Sequence, residues 1–176
     1  MDFADLLKRA HRRSFRRFLL PVYEYANEVI QNGLGVGNNV HILRSGEVAF
    51  LRRYLRNKSH CQVVDAGARL GHYSLAVTRI CPTAKILAIE PNPKAFEILR
   101  RRTCEIDADL VCQAVGDREQ RVTFYDELRE SGSAWCSLYP INIPKGSPVS
   151  TFEADVRTLD AILSEKHIER VELLKL

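Results

Sequence analysis

The sequence predicts an α/β domain built on a parallel sheet that helices cover on both faces. From Cys61 onward, short apolar runs alternate with amphipathic helical segments, which is typical of parallel sheets. The length of 176 residues corresponds to about one domain. With 45% hydrophobic and 27% charged residues, the composition is that of a globular protein. No apolar run reaches the roughly 18 to 20 residues that a membrane span needs.

Residues 1–60 are predicted to form a basic helical lead-in ahead of an α/β domain at 61–176. The lead-in holds eleven Lys and Arg residues but only five Asp and Glu residues, whereas the whole chain has a formal net charge of +4. Its densest basic stretch, residues 8–17, has the pattern of an amphipathic helix. Such a helix can lie on an anionic membrane or on phosphates, but we favour a solvated face packed on its own domain. Few aromatic residues interleave the arginines, so nucleic-acid binding is not expected.

Within the lead-in, Pro21 is predicted to end or kink the first helix, and a second helical stripe follows at 22–30. The glycine-containing stretch 32–39 lacks the preceding strand and the Gly-Lys-Ser/Thr ending of a phosphate-binding loop, so it is interpreted as a plain loop. Residues 40–43 are a candidate strand. Ser45 is a candidate N-cap for a helix that runs to Leu55.

The α/β domain is predicted to contain eight elements and one long loop. The elements are strands at 62–65, 85–90, 109–115, 121–125 and 171–176, and helices at 72–80, 94–102 and 158–166. Residues 131–150 are rich in Ser, Gly and Pro and are interpreted as a long loop. A sheet that stops at the last strand has an unpaired edge, which favours self-association.

The five cysteines are an odd number and include no Cys-x-x-Cys pair, so neither a disulfide framework nor a zinc site is indicated. We expect reduced thiols that pack as small hydrophobes, and no metal site. Residues 1–20 lack the continuous apolar segment of a secretory signal. The expected location is therefore the cytoplasm.

The most informative segment, residues 63–74, is a strand that runs into a glycine-bearing turn and then into a helix. Gly67 and Gly71 allow the backbone to turn tightly and to approach a ligand. The amides at the helix start offer donors to an anionic group. Asp65, at the carboxyl end of the strand, can accept a hydrogen bond from a ligand ammonium. An amino-acid moiety, which carries both charges, suits this site.

Glu90 closes the second strand, next to the first in the predicted sheet. In dinucleotide-binding folds a carboxylate at this place accepts hydrogen bonds from ribose hydroxyls. An amino acid and a ribose together describe S-adenosylmethionine. NAD(P) is disfavoured because its fingerprint is Gly-x-Gly-x-x-Gly, whereas the spacing here is Gly67-x-x-x-Gly71. The alternative is a turn in which the glycines serve only packing. That interpretation is disfavoured because it gives no reason for carboxylates at the ends of both strands, Asp65 and Glu90.

Four motifs in this order resemble the FkbM family of methyltransferases. They are VVDAGARLGHYSL at 63–75, AIEPNP at 88–93, AVGD at 114–117, and TLDAIL at 158–163 followed by VELLKL at 171–176. The resemblance runs from Gly46 to the last residue. It implies a class I S-adenosylmethionine-dependent methyltransferase with a Rossmann-like parallel sheet. It further implies O-methylation of a hydroxyl on a sugar or a natural-product-like small molecule, so a small-molecule acceptor is the expected partner.

The resemblance also implies which residues bind the cofactor. Asp65, Gly67 and Gly71 hold the methionine part, Glu90 holds the ribose, and the turn at 114–117 lies near the adenine. The full expected set is Asp65, Gly67, Ala68, Gly71, Glu90, Pro91, Ala114, Val115 and Asp117. Arg69 stands where family members usually have Asn, and it puts a long cation beside the cofactor loop.

No catalytic base is assigned. His72, Tyr73 and Asp117 have suitable chemistry, but a helix start, a core aromatic and a turn acid explain them more simply. Family members continue after the Leu-Leu-Lys strand with an acidic segment near the transferred methyl group, and this sequence ends before it. We therefore expect a partial methyltransferase domain that is incomplete at its C-terminus. The alternative is a non-enzymatic module that binds a partner or a membrane surface.

Overall fold

The computed structural model describes residues 16–34, 42, 46–127, 136–140, 146 and 148–176. The structure divides between Arg53 and Tyr54 into two compact units. Outside the described residues lie positions 8–15 of the basic stretch, positions 35–39 of the loop predicted at 32–39, most of the candidate strand at 40–43 and the candidate cap Ser45. The loop prediction is wrong at residues 32–34, which are helical.

The first unit contains helix α1 (Arg16–Leu34) and most of helix α2 (Glu47–Leu55). Of the two predictions for Pro21, an end of the helix is wrong, because α1 continues through Pro21 to Leu34. The kink stays a prediction, based on the backbone hydrogen bond that a proline inside a helix removes. Six apolar side chains of α1 are more than half exposed: Leu20, Val22, Tyr23, Tyr25, Val29 and Ile30.

The described residues of the second unit form seven strands and three further helices. In chain order they are β1 (Gln62–Ala66), α3 (His72–Ile80), β2 (Lys85–Ile89), α4 (Pro93–Arg102), β3 (Ala108–Val111), β4 (Ala114–Val115), β5 (Gln120–Glu127), β6 (Val149–Arg157), α5 (Leu159–Glu165) and β7 (Leu173–Lys175). The mixed α/β architecture that the sequence predicts is confirmed.

The main sheet is four-stranded and parallel, in the order β3-β2-β1-β7. Its centre is apolar, because β1 and β2 are buried along nearly their whole length. In the register, Asp65 lies opposite Ala88 of β2 and opposite Lys175 of β7. The carboxyl ends of these three strands therefore meet at one edge of the sheet.

The face of the sheet that α5 covers contains a cluster of fully buried residues: Val64, Leu87, Ile89 and Ile162. Val115 packs against this cluster. Two helices are capped by side chains, since Asn92 accepts from the first amides of α4 and Thr158 accepts from the amide of Ala161 in α5. These caps set the points at which the chain leaves the sheet edge and enters each helix.

A second sheet has three strands in the order β4-β6-β5, with β6 parallel to β4 and antiparallel to β5. The prediction of one strand at 109–115 is wrong, since β3 belongs to the main sheet and β4 to the second. The chain changes partners between the two strands, since β3 pairs with β2 and β4 pairs with β6. Directly after β4, Gly116 lies close against β6, because a Cβ atom there would lie 2.5 Å from Cγ1 of Val156. Only a glycine lets the chain approach β6 this closely.

The long loop predicted at 131–150 overlaps the start of β6 at Val149, and β6 itself was not predicted. The signal was present as a period of two, in which Phe152, Ala154 and Val156 alternate with charged residues. Phe124 of β5 stacks on Phe152 with 5.4 Å between the ring centroids. The strand at 121–125, in contrast, is confirmed within β5.

No helix in the described segments is long and apolar enough to cross a membrane. The five cysteines are free thiols. Cys61 and Cys81 are both buried, and their sulfur atoms lie 3.7 Å apart. Burial together with the neighbouring Cys81 raises the pKa of Cys61 to about 11, so this thiol stays protonated at neutral pH.

Candidate functional site

Asp65 is fully buried near the carboxyl end of β1. Its Oδ2 accepts a hydrogen bond of 2.7 Å from the hydroxyl of Ser74 in α3. Its Oδ1 has no hydrogen-bond partner among the described residues, although the ammonium of Lys175 lies 3.4 Å away. One oxygen of the carboxylate is thus held in place, and the other remains able to accept.

Lys175 supplies the cation that faces this carboxylate. Its Nζ also donates to the carbonyl oxygens of Gly67 at 3.0 Å and Ala66 at 3.4 Å. The side chain therefore ties the end of β7 to the turn after β1. From the sequence, Lys175 is predicted only to lie within a strand, because its contact with Asp65 depends on the register between β7 and β1.

We expect Lys175→Met to lower the free energy of unfolding by about 1–3 kcal/mol, because the buried Asp65 carboxylate loses its cation. Urea unfolding measures this change. Lys166→Met is the matched control: Lys166 and Lys175 are both 28% exposed, but Lys166 pairs at 3.8 Å with Asp109, which is 65% exposed. Equal losses for the two variants contradict this account of Lys175.

The turn between β1 and α3 contains three residues in the left-handed region: Gly67 at φ +73°, Arg69 at φ +51° and Gly71 at φ +78°. A Cβ atom on Gly71 would lie 2.8 Å from Cδ1 of Leu99, whereas a Cβ atom on Gly67 would have no atom within 4 Å. The two glycines therefore serve different purposes. Gly71 lets the turn pack on α4, and Gly67 leaves the backbone open to a ligand.

Four amides of the turn donate within the protein. The bonds run from Gly67 and Ala68 to the carbonyl oxygen of Ile89, from Gly71 to the carbonyl oxygen of Ala68, and from Arg69 to Oε2 of Glu90. These bonds hold the turn against the end of β2. The turn thus brings the end of β1 close to Glu90. Five of the predicted cofactor-binding residues lie here: Asp65, Gly67, Ala68, Gly71 and Glu90.

Glu90 is 6% exposed, and each of its carboxylate oxygens accepts a backbone amide at 2.8 Å, Oε2 from Arg69 and Oε1 from Asn92. Burial raises the pKa of Glu90, and the two amides and Lys175 oppose that shift. Each carboxylate oxygen can accept a second hydrogen bond. Glu90 is therefore an oriented acceptor. Pro91, another of the predicted cofactor-binding residues, follows Glu90 in the chain and is half-buried.

Asn92 and Asp126 extend the site and were missed by sequence analysis. The side-chain amide of Asn92 donates to Oδ2 of Asp126 at 2.8 Å, and both residues are almost fully buried. Two signals were available in the sequence. Asn92 precedes Pro93, which is the usual order of an N-cap and a first helical residue. Asp126 follows Val122 and Phe124 at intervals of two, so it lies on the same strand face as these apolar residues.

The turn at 114–117 is connected to the end of β2 through the packing of Val115. Ala114 and Val115 pair with Val156 and Arg157 of β6, and Val115 packs against the cluster that contains Ile89. Asp117 is exposed. No described contact links Ala114 or Asp117 to Asp65 or Glu90.

Candidates for acid–base chemistry remain unassigned. His72 is exposed, and its Nε2 lies 3.0 Å from a guanidinium nitrogen of Arg102. Since arginine only donates, this ring nitrogen accepts. Tyr73 is buried in α3. Within the described part of the chain, no group of three or more His, Cys, Asp or Glu side chains is arranged to hold a metal ion.

Comparison with known proteins yields two matches. The model of the methyltransferase FkbM domain matches residues 65–176, which is more than half of the chain. A methyltransferase, sdnD, from Sordaria araneosa is 48% identical over 46 residues. That alignment covers 26% of this chain and 18% of the relative, so it spans less than a fifth of the relative's length. The matched family region includes both buried carboxylates, Asp65 and Glu90.

Proposed function

Because this chain belongs to the FkbM family of methyltransferases, we propose that it binds S-adenosylmethionine at the carboxyl ends of β1, β2 and β7 and transfers its methyl group to a hydroxyl of a small molecule. One observation carries this proposal. The glycine turn joins two buried carboxylates, Asp65 and Glu90, at the ends of adjacent parallel strands. Ligands of open α/β sheets bind at this edge.

The methionine part of the cofactor fits the end of β1. Asp65 has a buried oxygen without a hydrogen-bond partner, and the ammonium of Lys175 lies 3.4 Å from that oxygen. An acceptor and a cation side by side match the ammonium and the carboxylate of an amino acid. The open space over Gly67 gives such a ligand room to lie against the backbone.

The ribose fits the end of β2. The two hydroxyls of a ribose are neutral donors, and an oriented carboxylate binds them better than water-exposed acceptors do. Arg69 and Asn92 hold the Glu90 carboxylate from the protein side with their backbone amides. For the adenine we propose Pro91 and the turn at 114–117, and the packing of Val115 against the Ile89 cluster supports this placement.

When bound, S-adenosylmethionine supplies a methyl group that its sulfonium already activates. Transfer to a hydroxyl breaks the bond between methyl and sulfur, forms a bond between methyl and oxygen, and releases the hydroxyl proton, with S-adenosylhomocysteine as the leaving group. The residues of this chain would hold the donor and align the acceptor hydroxyl with it. Asp65, Lys175 and Gly67 would hold the amino-acid end and Glu90 would hold the sugar, and contacts at both ends would restrict the donor to one orientation.

Calorimetric titration with S-adenosylhomocysteine tests this proposal without knowledge of the acceptor. We expect micromolar binding by the wild-type chain and no heat of binding with NAD⁺. Circular dichroism before the titration verifies that the chain is folded. A folded chain that binds no S-adenosylhomocysteine, or that binds NAD⁺ instead, contradicts the proposal.

Helix α1 supports a second role, which we propose as contact with an anionic membrane surface. Six of its apolar side chains are more than half exposed, and Arg12, Arg13, Arg16 and Arg17 surround its start in the sequence. Apolar and basic groups on one helix are typical of interfacial helices. We expect the chain to co-sediment with phosphatidylserine vesicles but not with neutral ones, and to lose this binding when the four arginines are replaced by glutamine. Equal sedimentation with both vesicle types contradicts this role.

A further inference from the structure

Asp126 is a buried carboxylate of which one oxygen has a hydrogen-bond partner and the other has none among the described residues. It is 1% exposed, and its Oδ2 accepts from the side-chain amide of Asn92 at 2.8 Å. Its Oδ1 has no hydrogen-bond partner among the described residues. A buried polar atom without a partner is rare in folded proteins, because it gives up its hydration without compensation.

No Lys, Arg or His side chain in the described part of the chain forms an ion pair with Asp126, in contrast to Asp65 with its Lys175. The neighbouring group is the thiol of Cys136. Burial and the charges of Asp126 and Glu90 raise the pKa of Cys136 to about 12, so the thiol is neutral and brings no charge of its own. Asp126 therefore costs stability in the unliganded protein.

Asn92 connects Asp126 to the proposed ribose site. Its backbone amide donates to Oε1 of Glu90 at 2.8 Å, and its side-chain amide donates to Asp126. Its side-chain oxygen caps α4 by accepting from the amides of Lys94 and Ala95. Asn92 thus contacts both carboxylates at 2.8 Å, which places the Asp126 carboxylate close to the sugar end of the proposed site.

We propose that Asp126 is a second acceptor for the nucleoside half of the bound methyl donor, where its free Oδ1 takes a hydrogen bond from a ribose hydroxyl or from the amino group of the base. This inference rests on the proposed function, since it requires a nucleoside at Glu90. A hydrogen bond from the ligand gives a reason for the position of Asp126, a carboxylate without a paired cation on the apolar face of β5. The same carboxylate that lacks a partner in the free protein gains one from the ligand.

The test is calorimetric titration of S-adenosylhomocysteine into the wild-type chain, Asp126→Asn and Asp155→Asn. Asparagine keeps the shape of Asp126 and an acceptor for Asn92, but it removes the charge. We expect Asp126→Asn to weaken binding about ten- to hundredfold, the range for one hydrogen bond to a charged group. Asp155 is an exposed residue of β6, so Asp155→Asn is the matched control and binds as the wild type does.

Thermal unfolding without ligand separates this role from a structural one. Because Asp126→Asn removes an uncompensated buried charge, the midpoint of its thermal unfolding stays equal to that of the wild type or rises.

Titration with S-inosylhomocysteine, which has a carbonyl in place of the base amino group, identifies the ligand group that donates the hydrogen bond to Asp126. A loss seen only with S-adenosylhomocysteine assigns the amino group, and an equal loss with both ligands assigns a ribose hydroxyl.

Three outcomes overturn the inference. Wild-type affinity in Asp126→Asn overturns it while leaving the proposed function intact. Weaker binding together with a lowered midpoint shows that Asp126 is a structural residue. A folded wild-type chain that binds no S-adenosylhomocysteine overturns the proposed function and this inference with it.

Discussion

Glu90→Gln is expected to weaken the binding of S-adenosylhomocysteine by at least about a hundredfold, since two hydrogen bonds to a charged acceptor are lost or reduced, at about 1.5–3 kcal/mol each. The wild-type carboxylate is buried and is oriented by the backbone amides of Arg69 and Asn92. A small movement of neighbouring side chains therefore does not supply another charged acceptor for the ribose. Calorimetric titration measures the change.

Glu97→Gln is the matched control for this prediction. Glu97 lies on α4, is 51% exposed, and pairs with Arg100 in the same helix. Glutamine at position 90 also leaves one of the two amides without its acceptor, so Glu90→Asp serves as a second variant. It keeps the charge, retracts it by one methylene, and is expected to bind with intermediate affinity. Binding by Glu90→Gln within about threefold of the wild type contradicts the ribose assignment.

Gly71→Ala is expected to lower the free energy of unfolding by about 2–5 kcal/mol, because two costs add. An L-residue at φ +78° costs about 1–2 kcal/mol. The new methyl group also meets Cδ1 of Leu99 at 2.8 Å and Cγ2 of Thr103 at 3.2 Å, and both of these residues are buried. Overpacking of this kind costs about 1–3 kcal/mol. Urea unfolding measures the sum.

Gly67→Ala separates the two costs. Gly67 has nearly the same dihedral angle, φ +73°, but no atom lies within 4 Å of its Cβ position. We expect a loss of only about 1–2 kcal/mol in stability from the backbone strain. Its main effect is expected on ligand binding, since the methyl group fills the space proposed for the methionine part. Equal losses of stability in the two variants contradict the different roles assigned to these glycines.

The parts of the site that could be predicted from sequence are those that local rules determine. A strand followed by a glycine turn and a helix places Asp65 and Gly67 at a sheet edge, and the next strand brings Glu90 beside them. Arg69 illustrates the limit of this reasoning. Its departure from the family's usual Asn was visible, but only the structure shows that the position has φ +51°, a conformation that Asn tolerates better.

The residues that were missed depend on tertiary partners. Lys175 belongs to an apolar strand, and only the pairing of β7 with β1 sets its ammonium near Asp65. Asp126 reaches the site because β5 leads back to Asn92, a residue 34 positions earlier. The division of residues 108–115 between two sheets likewise depends on tertiary pairing, of β3 with β2 and of β4 with β6. No local pattern encodes these contacts.

Mapping the bound ligand by NMR tests the central claim most directly. Backbone amide spectra of the ¹⁵N-labelled chain are recorded during titration with S-adenosylhomocysteine. We predict that the largest shifts fall on the turn at 67–71 and on Glu90 and Asn92, with those at Lys175 close behind. Saturable shifts confined to other residues, or no shifts in a folded chain, contradict a methyl-donor site at the ends of β1 and β2.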